Sequence, residues 1–324
     1  MTKIYNWGIL GAAKFAREHM GPAIHLASGA RLAGLATSSY DKSAPFRAFA
    51  PDIRVYESYD ALIHDPKIDV VYIPLPNHLH VEWALKALKA GKHVLCEKPI
   101  ALEAAEIDQI ISLRDETGLM VAEAYMILHH PQWQRAKEII DSGEIGRLRH
   151  VSGIFTFDNR EDTGNIRNKA ETGGGGIRDI GVYTYGSARF VTGQEPTELR
   201  ADVEFENGID TYANVTGRFG EITFTLINSI RMANRQRMEF HGEKGVLALT
   251  APFNAQVFGE PKLTVECSGG VIREERFPAA QHYKLQVENF CAAIGGDRSA
   301  YPVSLEFSQG TQAMIDRVFA DAKR

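Results

Sequence analysis

The chain has 324 residues, 44% of them hydrophobic and 24% charged, as expected of a soluble globular protein with two domains of ordinary size. Its net charge is -5 and its basic residues are scattered, which argues against nucleic acid or a membrane surface as partner. Cys96, Cys267 and Cys291 lie far apart with no CxxC pair, so neither a zinc site nor a disulfide framework is expected and no metal is assigned.

The N-terminus shows no signal-peptide pattern and no run approaches a membrane span in length, which makes the cytoplasm the expected compartment. Tyr5 to Leu10 reads as the first strand. Gly11-Ala12-Ala13-Lys14-Phe15-Ala16 follows it and matches the dinucleotide fingerprint G-x-G-x-x-G/A, with Ala13 at the middle glycine. Such a turn brings backbone close to a pyrophosphate and presents it to a helix N-terminus, where free N–H groups favour negative charge. Arg31 to Ala36 reads as the second strand. Its tip, Thr37-Ser38-Ser39-Tyr40-Asp41-Lys42, carries no acid at the first positions, where NAD enzymes hold the ribose hydroxyl. Hydroxyls with Lys42 suit a 2′-phosphate, so NADP is favoured and NAD stays open.

Short helices are expected over 43–49 and 58–64. Val70 to Ile73 is apolar on both faces, as a strand inside a parallel sheet is. Pro74 and Pro76 end it, and Asn77 is placed as the cap of a helix that runs to Gly91. His93 to Cys96 is the next strand, with Glu97-Lys98-Pro99 at its carboxyl end. That end of an open α/β sheet is where ligands bind, so Asn77, His78, His80 and Lys98 arrive at one rim. A helix over 101–117 and a strand over 120–124 complete the first half. His129-His130-Pro131 reads as a structural turn, not a metal site, because adjacent residues point apart.

Beyond a helix at 132–142 the pattern changes. Leu199, Ala201, Val203 and Phe205 alternate with Arg200, Asp202, Glu204 and Glu206, and Asn207-Gly208 is a strong hairpin signal. Further strands are expected near 211–215, 222–230, 237–241, 245–249, 263–267 and 271–277, with short connections that imply antiparallel neighbours. Two helices, near 284–294 and 304–322, end the chain. The organisation expected is α/β: a Rossmann doubly wound parallel sheet over 1–124, then over 125–324 an α+β domain with an open, mostly antiparallel sheet. The last helix is a candidate to pack back on the first domain.

One more stretch carries chemistry. Asn165-Ile166-Arg167 precedes Gly173-Gly174-Gly175-Gly176-Ile177-Arg178-Asp179-Ile180-Gly181-Val182-Tyr183. The glycines allow close backbone approach to something, and Asp179 and Tyr183, four apart on the helix expected next, share a face. Arg178 is expected to point to solvent or to a substrate.

PLPNHLH before Glu97-Lys98-Pro99, and the glycine run before Asp179 and Tyr183, together resemble the glucose–fructose oxidoreductase / inositol dehydrogenase (Gfo/Idh/MocA) family. The similarity leans to the branch of NADP-dependent D-xylose dehydrogenases and dimeric dihydrodiol dehydrogenases, except that Ser38 stands where that branch carries an arginine. The resemblance implies an oxidoreductase that moves a hydride between nicotinamide and a hydroxyl carbon of a sugar, polyol or diol. It also implies a cis peptide before Pro99 and a homodimer or homotetramer built through the second domain's sheet.

Tyr183 is then the expected acid/base, Lys98 the ammonium that favours its ionised form, and Asp179 the group that orients Lys98 or binds a substrate hydroxyl. Candidate cofactor contacts are Gly11, Ala13, Lys14, Phe15, Thr37, Ser38, Lys42, Pro74, Leu75, Asn77, His80, Glu97 and Lys98. Tyr125 and Arg167 join Lys98, Asp179 and Tyr183 as candidate substrate contacts. A redox-assisted glycosidase that retains its cofactor, and a nucleotide-binding regulator, are the alternatives.

Overall fold

The computed structural model describes residues 3–267 and 269–322. The chain divides into two compact units, 1–129 with 281–308 and 130–280 with 309–324.

In the first unit strands and helices alternate: β1 (Tyr5–Leu10), a π turn at Ala16–Met20 leading into α1 (Gly21–Leu26), β2 (Ala30–Ala36), α2 (Ala44–Arg47), β3 (Arg54–Tyr56), α3 (Tyr59–Ile63), β4 (Val70–Ile73), α4 (His80–Lys89), β5 (His93–Cys96), α5 (Ala104–Thr117) and β6 (Val121–Glu123). The sheet order is β3-β2-β1-β4-β5-β6 and every pairing is parallel. Strand order reverses between β1 and β4, and such a switch point opens a crevice at the carboxyl ends of the strands. Each residue of β4 is buried, because helices cover both faces of the sheet. Local chemistry trims the helices. Ser58 accepts from the Ala61 N–H and starts α3, and the Glu103–Glu106 capping box starts α5 three residues later than the sequence suggests. Asn77 lies in a 3₁₀ turn, Asn77–Leu79, ahead of the α4 start at His80.

The second unit holds α6 (Pro131–Asp141), β7 (Leu148–Asp158), a π turn at Ile177–Gly181 continuing as α7 (Val182–Thr192), then β8 (Glu198–Glu206), β9 (Ile209–Phe219), β10 (Ile222–Ser229), β11 (Arg231–Gly242), β12 (Gly245–Leu249), β13 (Lys262–Cys267) and β14 (Val271–Arg276). Helix α8 (His282–Ile294) belongs to the first unit, and α9 (Leu305–Ala322) begins there and continues in the second. The β8–β9 hairpin turns on Asn207 and Gly208, both at positive φ. The eight-stranded sheet has the order β14-β13-β12-β11-β7-β10-β9-β8, and only β7–β10 is parallel. Short connections do not make β10 and β11 neighbours, as had been expected of consecutive strands. Strand β7, which the sequence reading does not anticipate, lies between them.

Candidate active site

The first unit gathers the expected nucleotide-contacting residues at the carboxyl ends of its strands. Gly11 follows β1 at φ 91, and Ala13, Lys14 and Phe15 follow it into the π turn. Phe15 is half-buried against Tyr283, with ring centroids 5.5 Å apart. Thr37, Ser38 and Lys42 follow β2; Thr37 is buried, and Ser38 and Lys42 are exposed. Pro74 and Leu75 follow β4, and Glu97 and Lys98 follow β5. One guanidinium near the β2 tip escaped the sequence reading. Arg47 lies 4.6 Å from the ring centre of the exposed Tyr40, with its Nε buried and without a hydrogen-bond partner. The exposed Ser38 and Lys42, with the Arg47 guanidinium nearby, make a donor set that fits a phosphate ester, so these residues fit NADP.

The turn carrying Lys98 is held from several directions. The Lys98–Pro99 peptide is cis. The Tyr72 hydroxyl donates to Glu97 Oε1 at 2.6 Å. Burial raises the Glu97 carboxyl from 4.5 to about 7, against the lowering effects of Tyr72 and Lys98. Glu123 accepts the Ile100 N–H at 2.9 Å and the Ser308 hydroxyl at 2.8 Å. His80 is 0% exposed, with Nδ1 2.7 Å from the Pro99 carbonyl oxygen and Nε2 2.7 Å from that of Leu75. This corrects the expectation that His80 is a cofactor contact, because a ring with both nitrogens engaged and no exposed surface supports the turn from behind. Tyr125, expected to touch substrate, is 1% exposed and packs on Phe307. Neither histidine of the 129–130 pair stands alone: His129 meets Asn289 and Tyr301, and His130 accepts from the Gln132 N–H.

The second unit brings together Arg167, Asp179 and Tyr183. Arg167 Nε donates to Asp179 Oδ2 at 2.5 Å. Asp179 raises the Arg167 pKa above its usual value, and Tyr183 acts in the same direction. Asp179 therefore has Arg167 as a direct partner, a pairing the sequence reading does not name. The Tyr183 ring packs beside the stacked pair Phe155 and Phe253, whose centroids are 4.9 Å apart, and lies 5.9 Å from each. Arg178, half-buried, holds its guanidinium 4.9 Å from the centre of the Phe319 ring.

The glycine run is explained by the chain's own atoms. A Cβ on Gly174 would lie 2.6 Å from the Arg167 carbonyl oxygen and 2.7 Å from that of Lys169. One on Gly175, which sits at φ 107, would lie 2.1 Å from Asp210 Oδ1. Asp210 is buried, accepts the Ile177 N–H at 2.5 Å, and is raised by burial from 3.8 to about 6. It fixes the start of the segment bearing Asp179 and Tyr183. Nothing local to Asp210 in the sequence announces this, since its partner is 33 residues away.

Comparison with known proteins agrees with this arrangement. Residues 5–125 match the NAD-binding Rossmann-fold model of the GFO/IDH/MocA oxidoreductase family, and 133–248 match a GFO/IDH/MocA C-terminal domain model. An uncharacterized oxidoreductase of Rhizobium meliloti is 38% identical over 99% of this chain and 98% of its own. A D-xylose 1-dehydrogenase (NADP(+)) of Haloferax volcanii is 29% identical over 98% of this chain and 97% of its own. Among solved structures, a tyrosine-to-phenylalanine variant of KijD10, a 3-ketoreductase from Actinomadura kijaniata in complex with TDP-benzene and NADP, superposes with a TM-score of 0.89 at 28% identity, covering 98% of each chain. A Rossmann sheet with a glycine turn at its switch point, joined to a mostly antiparallel sheet and matched along nearly the whole length, places the chain in the GFO/IDH/MocA family of oxidoreductases.

Proposed function

We propose that this chain is an NADP-dependent oxidoreductase acting on a hydroxyl or keto carbon of a sugar, polyol or diol. The observation that carries the reading is that the Gly11 turn, the β2 tip and the Lys98 turn all lie at the carboxyl ends of strands of one parallel sheet, in the order β2-β1-β4-β5. Its relatives support the class: one is named for xylose and NADP, and a similar structure was solved with NADP and a TDP compound.

In this reading Gly11, Ala13, Lys14 and Phe15 hold the pyrophosphate side, and Thr37, Ser38, Lys42 and Arg47 the 2′-phosphate. Pro74, Leu75, Asn77, Glu97 and Lys98 border the nicotinamide. When bound, the nicotinamide supplies or accepts the hydride. The protein's part is the proton on the substrate oxygen. Tyr183 exchanges it, and its ordinary pKa of about 10 must fall for that role at neutral pH. Cations favour the phenolate; Lys98 is assigned that task, with the Arg167 guanidinium adding to it. Asp179, paired with Arg167, fixes that guanidinium beside Tyr183 and is assigned a substrate hydroxyl.

A second copy of the chain packs, in this reading, on the half-exposed face of the eight-stranded sheet that carries Asn214, Thr225 and Ile227. The test is a screen of aldoses, inositols, diols and keto-sugars with NADP(H) and NAD(H), following absorbance of the reduced nicotinamide. Turnover with release of reduced cofactor supports the reading. Cofactor binding without turnover on any of these classes would replace it with a regulator, and sugar-bond cleavage without net cofactor release would replace it with a redox-assisted glycosidase.

A further inference from the structure

His80 presents a problem in counting protons. Its ring is completely buried, and each nitrogen sits 2.7 Å from a backbone carbonyl oxygen, Pro99 on one side and Leu75 on the other. A carbonyl oxygen only accepts. A neutral imidazole has one N–H and one lone pair, so in either tautomer one of these contacts would set two lone pairs against each other. Flipping the ring does not help, because both ends face an oxygen. A distance of 2.7 Å lies at the short end for N–H···O and is typical of donors that carry charge.

Other forces oppose the second proton. Burial, the largest influence, disfavours the charged ring, Lys98 and His78 act in the same direction, and together they hold the His80 pKa below its ordinary 6.5, so the contact geometry is set against this electrostatic balance. The two carbonyl acceptors act against them. The carboxyl groups of Glu97 and Glu123 belong to the same turn, but Glu97, raised to about 7, is no full counter-charge at neutral pH, and Glu123 is engaged by the Ile100 N–H. The neutral form would leave one carbonyl facing a lone pair with no water to relieve it, an arrangement from which a packed ring would move away.

We propose that His80 is a buried imidazolium that donates from both nitrogens, clamping the Leu75 and Pro99 carbonyls so that the loop after β4 and the Lys98 turn after β5 keep a fixed spacing. His80 is thus a positioning residue that touches neither cofactor nor substrate. The proposal of a clamp stands on geometry; its catalytic consequence rests on the reading that Lys98 and the β4 loop form the nicotinamide side.

The test is nitrogen NMR on the full chain labelled with 15N-histidine, with the His80 signals assigned by their loss in His80→Gln. Both His80 ring nitrogens should carry protons from pH 6 to pH 8.5. A spectrum showing one bare His80 nitrogen at pH 7 would overturn the clamp; should His80→Gln not fold, through-space contacts from the ring protons to Leu75 and Pro99 assign the signals in wild type. Folded His80→Gln, checked by its melting transition, should bind NADPH about ten-fold or more weakly and also lose about ten-fold or more in turnover, because both loops lose their common anchor. Lys98→Ala, by contrast, should lose turnover alone. Unchanged affinity and turnover in folded His80→Gln would remove the positioning role. If wild type binds no nicotinamide cofactor, the functional reading fails, while the NMR result still decides the protonation of His80.

Discussion

Asp210 accepts the backbone N–H of Ile177 at 2.5 Å and thereby anchors the segment that leads to Asp179 and Tyr183. Burial raises its carboxyl from 3.8 to about 6, so the native state holds that proton more tightly than the unfolded chain does. The stability this contributes is complete below 3.8 and is lost as pH rises through about 6. Asn at this position keeps the shape and one acceptor oxygen but does not titrate. Relative to Asp210→Asn, wild type should lose up to roughly 3 kcal/mol of stability across that window, with no further change above it. Denaturant midpoints of both proteins from pH 3.5 to pH 7.5 measure this. A difference independent of pH would mean that Asp210 titrates normally.

The second prediction concerns Lys98. The pyrophosphate is assigned to the Gly11 turn, so Lys98→Ala should abolish turnover while NADP(H) still binds. Fluorescence titration of reduced cofactor and a steady-state assay separate the two effects. A variant that keeps more than about a tenth of wild-type turnover would remove Lys98 from the mechanism, since loss of an acid–base or electrostatic group ordinarily costs more.

Much of the first unit was legible because its signals are local. Strand β4 announces itself by four apolar residues, and Gly11 and the Glu97–Pro99 turn lie directly after strands. The hairpin at Asn207-Gly208 was legible for the same reason. Strand β7 was not. Gly153 interrupts its apolar alternation, yet the structure requires it, since a Cβ there would lie 2.5 Å from Met238 Sδ. What identifies β7 as a strand is its pairing with β10 and β11, about seventy and more residues away in sequence. At the site, sequence spacing brought Asp179 and Tyr183 together but could not show Arg167 as the partner of Asp179, nor Tyr72 behind Glu97. His80 was misplaced for a similar reason: a histidine in a polar loop motif looks like a rim residue until its two carbonyl partners are seen.

Cofactor choice gives the third prediction. Ser38 is exposed after β2, and Arg47 carries a buried N–H without a partner. Ser38→Asp should shift preference towards NAD, because a carboxylate repels the 2′-phosphate and accepts from the 2′-hydroxyl. Arg47→Gln should raise KM for NADP several-fold or more and leave KM for NAD nearly unchanged. Paired kcat/KM values for the two cofactors test both. A wild type that strongly prefers NAD would overturn the assignment of this strand tip to the 2′-phosphate, with the missing arginine at position 38 as the physical reason.

The fourth prediction concerns the proton. Tyr183→Phe keeps the ring, and with it the packing on Phe155 and Phe253, but removes the ionisable hydroxyl. Turnover should fall by about 10²-fold or more, the usual range for an acid–base group. Cofactor affinity should hardly change, because the residues assigned to the phosphates belong to the other unit. In wild type the oxidation rate should rise with pH through an apparent pKa well below that of free tyrosine if, as proposed, the Arg167 guanidinium and the Lys98 ammonium favour the phenolate. That value describes the coupled set of Tyr183 with its cations and not Tyr183 alone. Arg167→Gln should therefore move the same limb of the profile to higher pH while leaving Tyr183 in place, which separates an electrostatic role from simple substrate contact. A Phe variant with near-normal turnover, or a profile unmoved by either substitution, would take the proton away from Tyr183. His80, with both ring nitrogens engaged, could not replace it, and Asp179 would be the next group to test.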